Sequence, residues 1–375
     1  MKRLFIVALS AALAVSCSHN EQKVTEYTAP DHYQKVTVVE PDGGKVKNII
    51  IMIGDGMGLE QLSTAWVANR GALNIDNIKT VGLQRTYCNN YLITDSAAAG
   101  TALATGTKTD KGHIATTREG EPLYSILKIA HQAGKRTGVA VTCRLNDATP
   151  ATFCCHNTDR DQSEAIAADY VGCGVDYIAG GGMKYWRGRT DNRDLLAEMS
   201  AEGYTACTDM ASLAAADKLP VVAVLADLEL PDALERGNMF RDMAAKALEL
   251  LSKDNDKGFV LMLEGSCIDD WCHANRIDKA VEEILDFDRT VGDVLQWAAE
   301  DGNTLVVVTA DHSTGGLTLL DGDIATGRVS VNFSNEGHNG IAVPFYVFGA
   351  CSRDFGGIME NSDLSGRLIG FLNKE

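Results

Sequence analysis

Positive charge is scarce in this chain. Its 34 Lys and Arg stand against 51 Asp and Glu, a formal net charge of −17. That balance argues against a nucleic-acid partner, because phosphate backbones are gripped by Lys and Arg surfaces. It also repels small anions unless bound cations reverse the sign locally. Membrane-spanning runs are lacking at the N-terminus, where the apolar stretch 4–15 is too short to cross a bilayer. No two cysteines show C-x-x-C spacing, so a structural zinc ribbon is not expected. Repeats and low-complexity tracts are absent. No G-x-S-x-G elbow or S-x-x-K pattern surrounds Ser96, which leaves that hydroxyl without a side-chain base in sequence.

What is present begins with an export signal. Lys2 and Arg3 precede the apolar stretch 4–15, and Ser16 then meets Cys17. Ala14-Val15-Ser16-Cys17 resembles a bacterial lipobox, which would make Cys17 the lipidated N-terminus of the mature chain. A plain cleaved signal is the alternative. The chain is therefore expected to be exported, either periplasmic or held at the outer membrane through Cys17. Residues 17–47 are polar, carry Pro30, Pro41 and Gly43-Gly44, and read as a flexible tether. Of ten cysteines, nine remain if Cys17 is acylated, so at least one thiol stays free.

Length alone suits one large α/β domain or two modest ones. Strand-like runs at 48–53, 137–142, 175–179, 221–225, 259–263, 304–309 and 343–348 alternate with helical stretches at 59–69, 96–104, 122–133, 163–170, 193–201, 240–251 and 280–299. The alternation predicts a doubly wound, mostly parallel sheet with helices on both faces, in a single domain spanning 48–375. Asp-Gly and Thr-Gly turn signals between His312 and His338 predict a small β-hairpin insert.

Several chemistry-bearing residues sit where those runs end. In such sheets the ligand site lies beyond the carboxyl ends of the strands. Asp55, Glu264, Asp269, Asp311 and His312 should therefore converge. Asp55, in Gly54-Asp55-Gly56, reads equally as a turn former or a metal ligand. Ser96, after Thr94-Asp95, opens a helix of small residues whose N-terminus favours an anion, and is a cap or, with a metal as activator, a nucleophile. Asp269 and His273, four apart, share one helix face and can share a cation. Asp147 and Thr149 read as hard-cation ligands or as an Asx turn before Pro150. Arg160 reads as a surface ion-pair residue or a fork for two phosphate oxygens. His338 alone is an ordinary loop histidine.

Taken together and in order, Gly54-Asp55-Gly56, Asp95-Ser96-Ala97, Asp147-Ala148-Thr149-Pro150, Arg160, Glu264-Gly265-Ser266, Ile268-Asp269, His273, Thr309-Ala310-Asp311-His312-Ser313 and His338 resemble the alkaline phosphatase family from about Asn48 to the C-terminus. The resemblance implies a phosphomonoesterase with two Zn²⁺ and one Mg²⁺, acting through a phosphoserine. It implies Asp269, His273 and His338 at one zinc; Asp55, Asp311 and His312 at the other, with Ser96 as nucleophile; and Asp55, Thr149 and Glu264 at magnesium, with Asp147 in its outer shell. Arg160 would clamp the phosphoryl group beside Asp95 and Asp270. The chain departs from the family's pattern at Asp270, where relatives carry Lys, His or Trp, and in its short insert before His338, which leaves a homodimer open. A sulfatase would need a C/S-x-P-x-R context, which Ser96 lacks. Phosphodiesterases usually lack Arg160 and the third-metal set, and a binding lipoprotein without turnover is the reading from a different class.

Overall fold

The computed structural model describes residues 23–41 and 43–372. The expected signal 1–16 and Cys17 lie outside the described residues. In chain order the strands are β1 (Thr25–Thr28), β2 (Asn48–Gly54), β3 (Thr80–Arg85), β4 (Arg136–Arg144), β5 (Tyr177–Gly181), β6 (Thr205–Cys207), β7 (Val221–Val224), β8 (Phe259–Gly265), β9 (Thr304–Thr309), β10 (Ser313–Thr314), β11 (Leu317–Asp323), β12 (Arg328–Phe333), β13 (His338–Asn339), β14 (Val343–Gly349) and β15 (Gly357–Glu360).

Ten of these form one sheet in the order β15-β3-β14-β9-β2-β8-β4-β5-β7-β6. β14 runs antiparallel to β3 and β9, and the other neighbouring pairs are parallel. Residues of β2, β8 and β9 are buried at every position, as continuous apolar runs should be when helices cover both faces. Alternate residues feed two cores. Ile50, Met52, Leu261 and Val306 join one, and Ile49, Ile51, Val260 and Val307 the other. The expected α/β architecture is thus the one observed. Among the described residues no helix is long and apolar enough to cross a membrane.

The tether expected over 17–47 is corrected where the structure describes it. β1 adds an antiparallel edge to β12, which pairs in turn with β11, the expected hairpin. The Tyr27 hydroxyl donates to Glu282 at 2.7 Å, and the Tyr33 hydroxyl donates to Asp288. Both carboxylates are buried on the long helix Ile277–Asp301. An unpaired buried carboxylate is costly, so these tyrosines bind the segment to the domain.

Two short pairings position the site. Ser313–Thr314 pairs with His338–Asn339, setting Thr314 opposite His338. The insert thereby returns the chain so that His338 comes back to the sheet edge that carries Asp311.

Candidate active site

Sheet order explains the convergence of distant residues. β9, β2, β8 and β4 are consecutive neighbours, in register at Ile53↔Thr309, Ile53↔Glu264 and Val141↔Glu264. Asp55 lies one residue beyond β2, Asp311 lies two beyond β9, and Glu264 is the penultimate residue of β8. The helix Cys267–His273 follows β8 directly and presents Asp269 and His273.

Ser96 is the first residue of the helix Ser96–Thr105, whose small side chains are buried nearly throughout. Asp95 caps that helix, accepting from Ala98 N at 3.1 Å. Gly100 permits close approach of the helix Ala148–Cys154, since a Cβ there would lie 2.9 Å from Thr152 Oγ1. Helix packing thus holds the Ser96 hydroxyl, 4% exposed, at a dipole end that favours an anion.

Two ligand sets flank it. Asp55, Asp311 and His312 form one, and Asp269, His273 and His338 form the other, with ligand atoms of each set within 4.8 Å of one another. Ser96 Oγ lies 3.3 Å from His312 Nε2. That nitrogen is 3.2 Å from Asp311 Oδ2 and 3.5 Å from Asp55 Oδ1. In the second set His273 Nε2 stands 3.1 Å from both Asp269 Oδ2 and His338 Nε2. Outer partners orient these rings: His273 Nδ1 on the Glu336 carbonyl, His338 Nδ1 2.9 Å from the Thr94 carbonyl, and His312 Nδ1 3.2 Å from Thr314 Oγ1. Anchored ring nitrogens of this kind are what metal-ligating histidines need.

The buried atoms left without hydrogen bonds are equally informative. Asp55 Oδ1, Asp311 Oδ2, Glu264 Oε1 and Thr149 Oγ1 find none in the protein. Orphaned oxygens on three carboxylates and a hydroxyl are unfavourable alone and suited to hard or borderline cations. Electrostatics agrees. Burial, then Asp311, Asp269 and Glu264, push Asp55 well above the usual carboxylate range; burial and Asp311 do the same to Glu264. Burial, with Asp269, raises Asp311 to about 6. Burial lowers His312 and His338 to about 4 each, keeping both neutral, the form that ligates.

Arg160 spans two carboxylates, with Nη1 3.3 Å from Asp95 Oδ2 and Nη2 3.3 Å from Asp147 Oδ1. Asp147 caps the helix Ala148–Cys154, which carries Thr149 in its first turn. Asp95 therefore serves as cap and Arg160 anchor. Asp270 is exposed, yet the walls around it, with Asp147, Asp269 and Glu229, push its carboxyl up to about 7 against the opposing Arg144. Sequence reasoning missed Thr314, Arg144 and Glu229. Thr314 carried a faint signal, two residues after His312; Glu229, in a loop, carried none.

Fold and site together define an α/β protein whose parallel strand ends gather carboxylates and imidazoles around a helix-borne serine. The family model described as alkaline phosphatase matches residues 46–327. Alkaline phosphatase 4 of Bacillus subtilis is 35% identical over 304 residues, covering 76% of this chain and 65% of its own length. The chain thus spans just under two thirds of that relative. The alkaline phosphatase of the Antarctic bacterium TAB5 superimposes with a TM-score of 0.82 at 35% identity, over 88% of this chain and 100% of that one. A histidine-to-aspartate variant of the TAB5 protein, with Mg bound in its M3 site, matches with a TM-score of 0.82 at 34% identity, over 90% and 100%. The chain belongs to the alkaline phosphatase family.

Proposed function

We propose that this chain hydrolyses phosphate monoesters through a phosphoserine on Ser96. The observation that carries the reading is the placement of Ser96 Oγ at a helix N-terminus, 3.3 Å from one of two Asp/His ligand sets. Asp269, His273 and His338 would hold one zinc, Asp55, Asp311 and His312 a second, and Asp55, Thr149 and Glu264 a magnesium ion with Asp147 outside it. Magnesium in the M3 site of the TAB5 variant supports the last assignment. When bound, the cations supply Lewis acidity, lowering the pKa of the serine hydroxyl and of water and neutralising phosphoryl charge.

The protein's own groups do the rest. Arg160, held at two points, offers its outer N–H groups to two phosphoryl oxygens. The Ser96 helix N-terminus faces the same anion. Ser96 Oγ attacks phosphorus in line, forming the Oγ–P bond as the ester P–O bond breaks. Water then attacks from the vacated side, releasing phosphate and restoring the hydroxyl. Loose phosphoryl transfer asks mainly for positioning and charge stabilisation, which this rigid frame provides. With Ser96→Ala, acid-quenched protein incubated with a ³²P-labelled monoester should carry no label, and the phosphate burst should vanish. A labelled Ser96→Ala protein with an undiminished burst would refute the assignment. Parallel assays of a diester and a sulfate ester separate the rival readings.

A further inference from the structure

We propose that Arg144 is a positioning residue for anion binding: by engaging Asp147 it leaves the Arg160 fork free for substrate, a role that rests on the phosphomonoesterase reading. Arg144 closes β4 and is half-buried. Its Nη2 lies 2.9 Å from Asp147 Oδ2, and its Nη1 donates to Glu229 Oε1. Asp147 Oδ1, its other oxygen, accepts from Ala148 N at 2.6 Å and from Arg160 Nη2 at 3.3 Å. Charges alternate along one chain of contacts, Glu229, Arg144, Asp147, Arg160 and Asp95. One carboxylate is therefore shared between two guanidiniums, one oxygen facing each.

Sharing has a consequence for the substrate. A carboxylate paired with a single guanidinium tends toward a bidentate fork and competes with phosphate for the same N–H groups. Arg144 occupies Oδ2 and so limits Asp147 to one contact with Arg160. Glu229 seats Arg144 from the far side, in a loop held where Leu230 N donates to the Thr142 carbonyl at 2.9 Å. Without Arg144, the Asp147 and Glu229 carboxylates would face one another near an anion site.

The test is a double-mutant cycle in the metal-loaded protein, reading KM, kcat and the inhibition constant of inorganic phosphate for Arg144→Ala, Arg144→Lys, Glu229→Gln, Arg160→Ala and Arg144→Ala/Arg160→Ala. Arg144→Ala should raise KM and the phosphate inhibition constant roughly fivefold to tenfold with kcat within about twofold, because positioning is lost while chemistry is kept. Arg144→Lys should recover only part, since an ammonium cannot bridge two carboxylates as a planar fork does. Glu229→Gln should shift the same constants in the same direction, by less, and spares a variant that folds poorly. On the Arg160→Ala background Arg144→Ala should add less than about twofold. An equal penalty in both backgrounds, or an unchanged phosphate constant in Arg144→Ala, overturns the inference. If Arg160→Ala itself leaves phosphate binding intact, the clamp reading fails and the inference falls with it, a result distinct from a silent Arg144.

Discussion

Stripping the cations should make the protein's stability depend on pH in a direction that the site's own titrations set. In the metal-free chain burial raises Asp55 and Glu264 well above the usual range and Asp311 to about 6. A raised acid stabilises the fold while it is protonated, and that contribution is lost as pH climbs through the folded value; for Asp311 it amounts to about 3 kcal/mol. His312 and His338, lowered by burial to about 4, act oppositely, each contributing about 3 kcal/mol that is complete above pH 6.5 and lost as pH falls toward 4. Below pH 6.5 the two trends oppose each other. Above it the histidine contribution is complete. His273, raised to about 9 chiefly by its hydrogen bond with Asp269, loses its proton in this window. Discounted for its exposure, His273 supplies about 1 kcal/mol. Calorimetry from pH 6.5 to 9 should therefore show the chelated protein losing at least ~2 °C in Tm. Protein saturated with zinc and magnesium should stay nearly flat, because bound cations keep the carboxylates ionised at every pH in the window. Titrating metal into stripped protein at pH 7 in buffers of differing ionisation enthalpy should release protons as well. A stripped protein whose Tm is flat or rises over that range would refute the reasoning.

Gly56 has φ +69°, and a Cβ there would lie 2.9 Å from both Asp269 Oδ1 and Thr314 Oγ1. Gly56→Ala should lower stability by about 1–2 kcal/mol and reduce zinc retained on dialysis, measured by melting and by elemental analysis. Arg236, buried, bridges Glu283 and Asp286 at 2.5 and 2.7 Å. Arg236→Ala should destabilise by about 3–5 kcal/mol in denaturant titration, with activity per folded molecule unchanged.

What the sequence disclosed follows from the physics of each element. Strands buried on both faces announce themselves as apolar runs, so 48–53, 259–263 and 304–309 lie within one or two residues of β2, β8 and β9. Thr80–Arg85 was invisible: it mixes polar residues with Gly82 and depends on β14 and β15 for its place in the sheet. Thr205–Cys207 is too short to show a period. The helix Ala148–Cys154 hid behind Pro150, yet a proline in the first turn is tolerated because no N–H there needs a helical acceptor. Singly the candidate ligands were ambiguous, Asp55 with a turn former and His338 with an ordinary loop histidine; it was their joint occurrence in order, resembling one family, that made them legible. Within residues 23–41 the tether reading failed because the partners of Tyr27 and Tyr33 lie on a helix more than 200 residues away. The Arg144–Glu229 contact is likewise a tertiary fact that spacing could not reveal.

An acidic chain that handles an anion needs its charge distributed unevenly, and this fold supplies the means. Glu229, Arg144, Asp147, Arg160 and Asp95 alternate in sign along one series, and Arg160 keeps its position through contacts with both flanking aspartates. Across the hollow, Asp55, Glu264, Asp269 and Asp311 concentrate negative charge at the sheet edge. Burial makes that concentration unfavourable without counter-charge, and the orphaned oxygens of Asp55, Asp311 and Glu264 mark where counter-charge fits. In the proposed state, three divalent cations against those four carboxylates leave a positive surplus beside the Ser96 helix N-terminus. Such a surplus favours a doubly charged phosphate monoester over a singly charged diester or sulfate ester through charge alone. The same preference should weaken with Arg144→Ala, which leaves the metal ligands untouched and shifts Asp147 toward Arg160.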